Sequence, residues 1–173
     1  MKTDIRNAAT PDNRAVETIL ETYWARICRS LYSLVGDWDE AEDLALETFI
    51  RWHEQPPTDS QNPGGWLYRV ATHLGLNALR ARQRRQHYET LAEPSVADFN
   101  PAEVVEKRQE VARVRRVLAT MKPRAAQLLL LRHSGLSYAE IAAEMALAPA
   151  SVGSLLARAA QEFEELYHKL EGD

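Results

Sequence analysis

Cysteine is almost missing from this chain: Cys28 is the only one in 173 residues. An intramolecular disulfide is therefore impossible and a cysteine-based zinc site is ruled out, which suits a reducing compartment. The five histidines, His53, His73, His87, His133 and His168, do not fall at zinc-ligand spacings. A glycine-rich phosphate loop is lacking, and no nucleophile–base pair stands out. Asp39, Glu40, Glu42, Asp43 and Glu47 could be drawn as a magnesium site. They sit at a helix start, however, where the helix dipole favours acids in any case. No catalysis, metal or cofactor is expected. Apolar runs of about 18 residues are absent, so no membrane insertion is expected, and the opening MKTDIRNAATPDNR lacks the apolar core of a secretory signal. A cytoplasmic protein is the expectation. Strand-like alternation is missing too, and β-branched residues are scattered.

Two stretches contain no acid at all. Residues 66–88 carry 5 basic side chains and residues 111–133 carry 6. The surrounding segments are acidic: 6 basic against 12 acidic in 1–65, 2 against 6 in 89–110, and 2 against 7 in 134–173. The net charge of −4 hides this segregation, and binding to a polyanion depends on local potential rather than on the total. Two cationic blocks separated by an acidic one point to two nucleic-acid contacts.

Punctuation divides the rest into helices. Thr10-Pro11 pairs a cap with proline at a first helical position, opening a helix that Gly36 ends. Asp37 or Asp39 caps the next, which runs to about Glu54. QPPTDSQNPGG reads as a loop, and Asn62-Pro63 opens a helix reaching about Tyr88. Residues 89–100 lack periodicity. Asn100-Pro101 restarts helix to about Thr120; Lys122-Pro123 opens another, stopped by Gly135; Ser137-Tyr-Ala-Glu140 is a capping box; Pro149 starts a last helix to about Leu170. The reading is an all-α chain of two small helical domains, 1–88 and 105–173, joined by a flexible acidic linker, 89–104.

At about 100° per residue, Trp66, Arg69, His73, Asn77, Arg80 and Arg84 form one stripe of the third helix, with Asn62 at its start. Leu67, Val70, Ala71, Leu74 and Ala78 form a neighbouring core face. Cations neutralise phosphates, aromatic and guanidinium planes stack on unpaired bases, and amide and imidazole groups bond to base edges. Such a stripe suits a melted strand. In the second domain, Leu136, Ile141, Ala142, Leu147, Val152 and Leu155 have the spacing of a helix-turn-helix core. Ser151, Ser154 and Arg158 lie on the half of its second helix that could approach duplex; the other half carries Glu162, Glu164 and Glu165 and must point elsewhere. Arg113, Arg115, Arg116, Lys122, Arg124 and Arg132 on preceding helices are candidates for phosphate contacts.

These stretches resemble a known family. GDWDEAEDLALETFIRWHE is similar to region 2.2 of bacterial RNA polymerase sigma factors, WLYRVATHLGLNALRARQRR to regions 2.3 and 2.4, and LLLLRHSGLSYAEIAAEMALAPASVGSLLARA to region 4.2. Their order and spacing resemble the extracytoplasmic-function (ECF) group, over about residues 13–88 and 105–168. The resemblance implies a promoter-reading subunit, with core RNA polymerase (the β′ clamp helices and the β subunit), promoter DNA (duplex and melted non-template strand) and an anti-sigma factor as partners. It implies that Asp43, Leu44, Glu47, Thr48, Ile50 and Arg51 dock on the clamp, and that Asn62, Trp66, Arg69, His73, Asn77, Arg80 and Arg84 serve the −10 element. Arg124, Arg132, Ser137, Tyr138, Ser151, Ser154 and Arg158 would serve the −35 element. The chain departs from the pattern at Leu46, where glutamine is common, at His73 and Asn77, and at Ala146, where the turn usually has glycine. If that position needs φ > 0, alanine costs roughly 1 kcal/mol. A stand-alone helix-turn-helix regulator and a sigma-like protein whose second domain binds protein are the alternatives.

Overall fold

A computed structural model describes residues 13–57, 62–89 and 102–171, and every regular element among them is a helix. Three make the first module: α1 (Asn13–Val35), α2 (Trp38–Glu54) and α3 (Pro63–Glu89). Four make the second: α4 (Ala102–Thr120), α5 (Pro123–His133), α6 (Tyr138–Glu144) and α7 (Pro149–Glu171). The expected Thr10-Pro11 start and most of the acidic linker lie outside the described residues.

The helix limits follow local chemistry. Asp37 is the cap of α2, its carboxylate accepting from the Glu40 amide at 2.9 Å. The chain reaches it through Gly36 at φ +79°. A Cβ there would stand 2.3 Å from Arg115 Nη1, because that guanidinium lies over the turn and donates to the carbonyls of Tyr32 and Ser33. Asn62 caps α3 through the Gly65 amide at 3.0 Å. Ser137 and Glu140 form both halves of the capping box of α6.

Three apolar clusters organise the packing. The first joins Ile27, Cys28, Leu31 and Val35 of α1 to Ala41, Ala45, Phe49 and Trp52 of α2 and Leu67 and Ala71 of α3. Cys28 is simply a core residue: burial, and secondarily Glu42, pushes its thiol pKa up, away from reactivity. The expected core face of α3 is buried at Leu67, Val70, Ala71 and Leu74 and half-buried at Ala78. The third cluster is the helix-turn-helix core, in which Leu136, Ile141, Ala142 and Val152 are buried and Leu147 and Leu155 pack at the edge.

The second cluster crosses between the modules. Leu34 of α1 and Leu76 and Leu79 of α3 pack with Val117, Leu118, Met121 and Ala126 of α4–α5 and Ala159 of α7, with Phe163, Leu166, Tyr167 and Leu170 alongside. This accounts for the acidic half of α7. Its apolar stripe leaves the helix-turn-helix and joins the shared core, while Glu164 and Glu165 remain exposed and Glu162 accepts from the Lys122 amide at 2.8 Å.

Ala146, in the turn between α6 and α7, has φ +50°. Ala146→Gly should raise unfolding free energy by about 1 kcal/mol, read as a higher urea midpoint with an unchanged slope. A lower midpoint would contradict the assigned strain.

Candidate nucleic-acid and polymerase interfaces

The stripe on α3 forms, but its members are not in one state. His73, Asn77 and Arg84 are exposed, with Asn77 Nδ2 3.5 Å from His73 Nε2. Trp66 is half-buried beside the first core and has the Arg69 guanidinium 5.8 Å from its ring centre. The other three are held by the second module. Asn62 Nδ2 donates to Glu140 Oε1 at 2.6 Å, and Arg69 Nε donates to Glu144 Oε2 at 3.0 Å. Arg80 donates from Nε and Nη2 to the carbonyls of Ala119 (3.2 Å) and Met121 (3.3 Å). Burial, with Arg84 nearby, pulls the Arg80 pKa down. A cleft of about 750 Å³ remains between the modules, lined by Arg51, Arg69, His73, Asn77, Arg80 and Arg124 among others.

Arg82, just off the stripe, is a structural fastener. It donates to the Val35 carbonyl at 2.5 Å and to the Glu40 carboxylate, tying α3 to the α1–α2 corner. Arg115 and Arg113 of the second basic block are likewise engaged internally. Arg115 spans to α1, as described, and Arg113 donates to the Tyr167 hydroxyl at 3.3 Å with its guanidinium over that ring. Their spacing gave no sign of this, because the acceptors are backbone carbonyls and aromatic groups far along the chain. Arg116 and Lys122 keep exposed side chains.

On α2 the six residues assigned to polymerase docking divide by face. Asp43, Ile50 and Arg51 are exposed, and Glu47 is half-exposed and accepts from Arg51 Nη2 at 2.5 Å. Thr48 is fully buried, its hydroxyl donating to the Leu44 carbonyl at 2.8 Å, and Leu44 packs against the first core. Those two hold the helix and do not face out. Leu46, at 51% exposure, does. With Ile50 one turn later it makes an exposed apolar ridge bordered by Asp43 and Glu47.

In the helix-turn-helix, Ser151, Ser154 and Arg158 share one side of α7, opposite buried Val152 and Ala159. Tyr138 is exposed under the Arg132 guanidinium, 5.5 Å from the ring centre, and Arg132 also donates to the Leu136 carbonyl at 3.0 Å. Arg124 donates to the Met145 carbonyl at 3.0 Å, bracing the turn. The Ser137 hydroxyl accepts from the Glu140 amide as the α6 cap. Of these seven residues, Ser154 and Arg158 stand out into solvent on α7, while Arg124, Arg132 and Ser137 already have local roles.

The sigma-70 region 2 family model matches residues 19–85, and the sigma-70 region 4 model matches residues 112–162. The chain belongs to the sigma-70 family. Similar curated proteins place this sigma factor in the ECF group. It is 31% identical over 172 residues to the ECF RNA polymerase sigma factor SigE of Mycolicibacterium smegmatis, covering 93% of this chain and 66% of SigE. It is 32% identical over 85 residues to the ECF sigma factor SigW of Bacillus subtilis, covering 48% and 46%. It is 28% identical over 172 residues to the RNA polymerase sigma-H factor of Pseudomonas aeruginosa, covering 92% and 89%. The chain thus spans less than two thirds of the first two relatives' length. Two solved structures share its fold: CnrH in complex with the cytosolic domain of CnrY (TM-score 0.58, 23% identity, 94% of this chain and 92% of that one) and the sigma factor RpoE in complex with the anti-sigma factor NepR from Bartonella quintana (TM-score 0.54, 21% identity, 88% and 96%).

Glu140 carries two helix starts at once. Bonds from Ser137, and secondarily from Asn62, hold its carboxyl below the usual carboxylate range. A depressed folded-state pKa supplies stability above the unfolded value and loses it as pH falls through the folded one. Glu140→Gln should therefore lower the melting temperature at neutral pH, with the gap to wild type closing below the usual carboxylate range. A gap independent of pH would show that the ionised group is not what stabilises.

Proposed function

We propose that this sigma factor joins core RNA polymerase, holds the melted non-template strand of the −10 element on α3, and reads the −35 element as duplex with its helix-turn-helix. The observation that carries this reading is the coexistence, each under its own family model, of a cationic helix with no acid before its last residue, Glu89, and a complete helix-turn-helix. The modules are assigned to residues 1–88 and 105–173, with 89–104 as the connecting strap, although Glu89 ends α3 and residues 102–104 already belong to α4. The work is binding, with no bond chemistry, and its compartment is the cytoplasm; no single described helix is long and apolar enough to cross a membrane.

Docking on the β′ clamp helices is assigned to the outward face of α2: Asp43, Leu46, Glu47, Ile50 and Arg51. An apolar ridge with an acidic border excludes water at its centre and sets orientation by charge at its rim. Leu44 and Thr48 support that face from inside. At the −10 element, exposed His73, Asn77 and Arg84 offer base-edge and phosphate contacts. Asn62, Arg69 and Arg80 contribute once their present partners are exchanged for DNA. At the −35 element the reading rests on Ser151, Ser154 and Arg158, with Arg116 and Lys122 available to backbone phosphates. The neighbours CnrH and RpoE were captured with CnrY and an anti-sigma factor; a regulator of that kind is assigned to this chain by the same reading.

In vitro transcription with core polymerase and a promoter library tests the whole assignment. Asp43→Arg should abolish holoenzyme formation by native gel or pull-down while leaving helical content unchanged; retained association would remove the α2 face from docking. Arg84→Ala should weaken strand binding and flatten the slope of log affinity against log salt by about 0.7, the value for one phosphate contact on single-stranded DNA. An unchanged slope would show that Arg84 meets no phosphate.

A further inference from the structure

A second side of α3, away from the stripe, meets α4 across a cavity of about 300 Å³. Leu79, Arg82, Gln83 and Gln86 line it from α3. Ala112, Arg115, Arg116 and Ala119 line it from α4. Each set recurs at steps of three and four residues, so each is one helical face. Arg80 and Arg84 of the stripe belong to neither lining. Ala112 and Ala119 have no side chain beyond Cβ, which keeps the space between the helices open.

The lining is cationic. Three arginines and two glutamines take part in it, and none of the described residues that line it is acidic. Two of the guanidiniums are already fixed. Arg82 donates to the Val35 carbonyl and to Glu40, and Arg115 donates through Nε and Nη2 to the carbonyls of Tyr32 and Ser33. Among the described residues, Glu40 is the one carboxylate bonded to any of the three arginines. The other acceptors are neutral carbonyls, which order the guanidiniums without cancelling their charge. Burial, and then the charge of Arg82, pull the Arg115 pKa down. Arg116 is exposed, and its guanidinium makes no hydrogen bond or ion pair among the described residues; the Gln83 side-chain amide makes none either. Guanidinium N–H groups match phosphate oxygens two at a time.

We propose that this cavity binds a small anion of two or three linked phosphoryl groups, held by Arg82, Arg115 and Arg116 with Gln83 at its edge. Two of the three guanidiniums are ordered before the ligand arrives, which lowers the cost of binding. Arg116, also available to duplex phosphates, is the one whose donors are uncommitted. One carboxylate against three arginines leaves a positive surplus that a di- or triphosphate answers and a single carboxylate does not. Phosphoryl oxygens also point to several sides, as donors on two helices require, whereas a carboxylate presents both oxygens in one plane. The volume lies at the small end of ligand sites, which suits a short polyphosphate better than a large cofactor. The site does not depend on the strand-holding role of α3, whose residues lie on another side of that helix.

The test is isothermal titration calorimetry of the full chain with inorganic triphosphate, at fixed ionic strength and without divalent metal. Wild type should show one saturable site, and the anion should raise its melting temperature. Arg116→Gln should weaken binding roughly tenfold, the effect of losing one charge-assisted hydrogen bond, with helical content unchanged. Lys169→Gln, which removes an equal charge from an exposed site on α7, should stay within about twofold, as expected for a screened surface charge. Gln83→Glu places a carboxylate among the three guanidiniums. It should raise the melting temperature without anion and abolish the response to triphosphate. Citrate, a polyanion without phosphoryl groups, should bind wild type roughly tenfold more weakly than triphosphate does. No saturable binding to wild type, equal losses in Arg116→Gln and Lys169→Gln, or an undiminished response in Gln83→Glu would overturn the site. Citrate binding as tight as that of triphosphate would overturn the phosphoryl assignment.

Discussion

Helix α3 is a wall common to both modules, and the rest of the architecture depends on its being so. One face, through Leu67 and Ala71, closes the bundle with α1 and α2; Leu76 and Leu79 are given to a core shared with α4, α5 and α7. The remaining surface carries the cations. A helix of 27 residues with apolar residues on more than one side cannot be amphipathic in the simple sense, because each turn must satisfy two cores and one polar ridge. That is why the ridge is narrow. It also explains why Arg80 and Arg82, at the borders between ridge and core, are drawn into bonds with backbone carbonyls. Next to apolar contacts a guanidinium must find acceptors, and the ends of neighbouring helices supply unsatisfied ones.

Local structure was legible to the extent that it is locally caused. Asn62-Pro63, Pro123, the Ser137–Glu140 box, Pro149 and Gly36 each act within a few residues, and the helices begin and end where those residues put them. Ala146 was legible through the family resemblance, whose turn usually has glycine there, and its φ of +50° meets the condition attached to that reading. What could not be read was pairing at a distance. Glu140 and Glu144 look like ordinary acids of a short helix, and their partners lie 78 and 75 residues away. Arg115 belongs by sequence to a basic block, yet its guanidinium spans 82 residues to a carbonyl of α1. The α2 positions divided the same way: the family pattern names Leu44 and Thr48, but only the packing reveals that they face inward while Leu46 faces out.

The same packing decides where the charges of this acidic chain stand relative to its cationic ridge. The acids are not spread evenly. Some lie on α2 beside the exposed Leu46 and Ile50, some on the outer side of α7, and two lie directly against the ridge of α3. A free chain with its ridge fully bare would bind any polyanion with little discrimination, since phosphate contacts carry no sequence information. Glu140 and Glu144 offset part of that positive surface through Asn62 and Arg69, while His73 and Asn77 stay exposed.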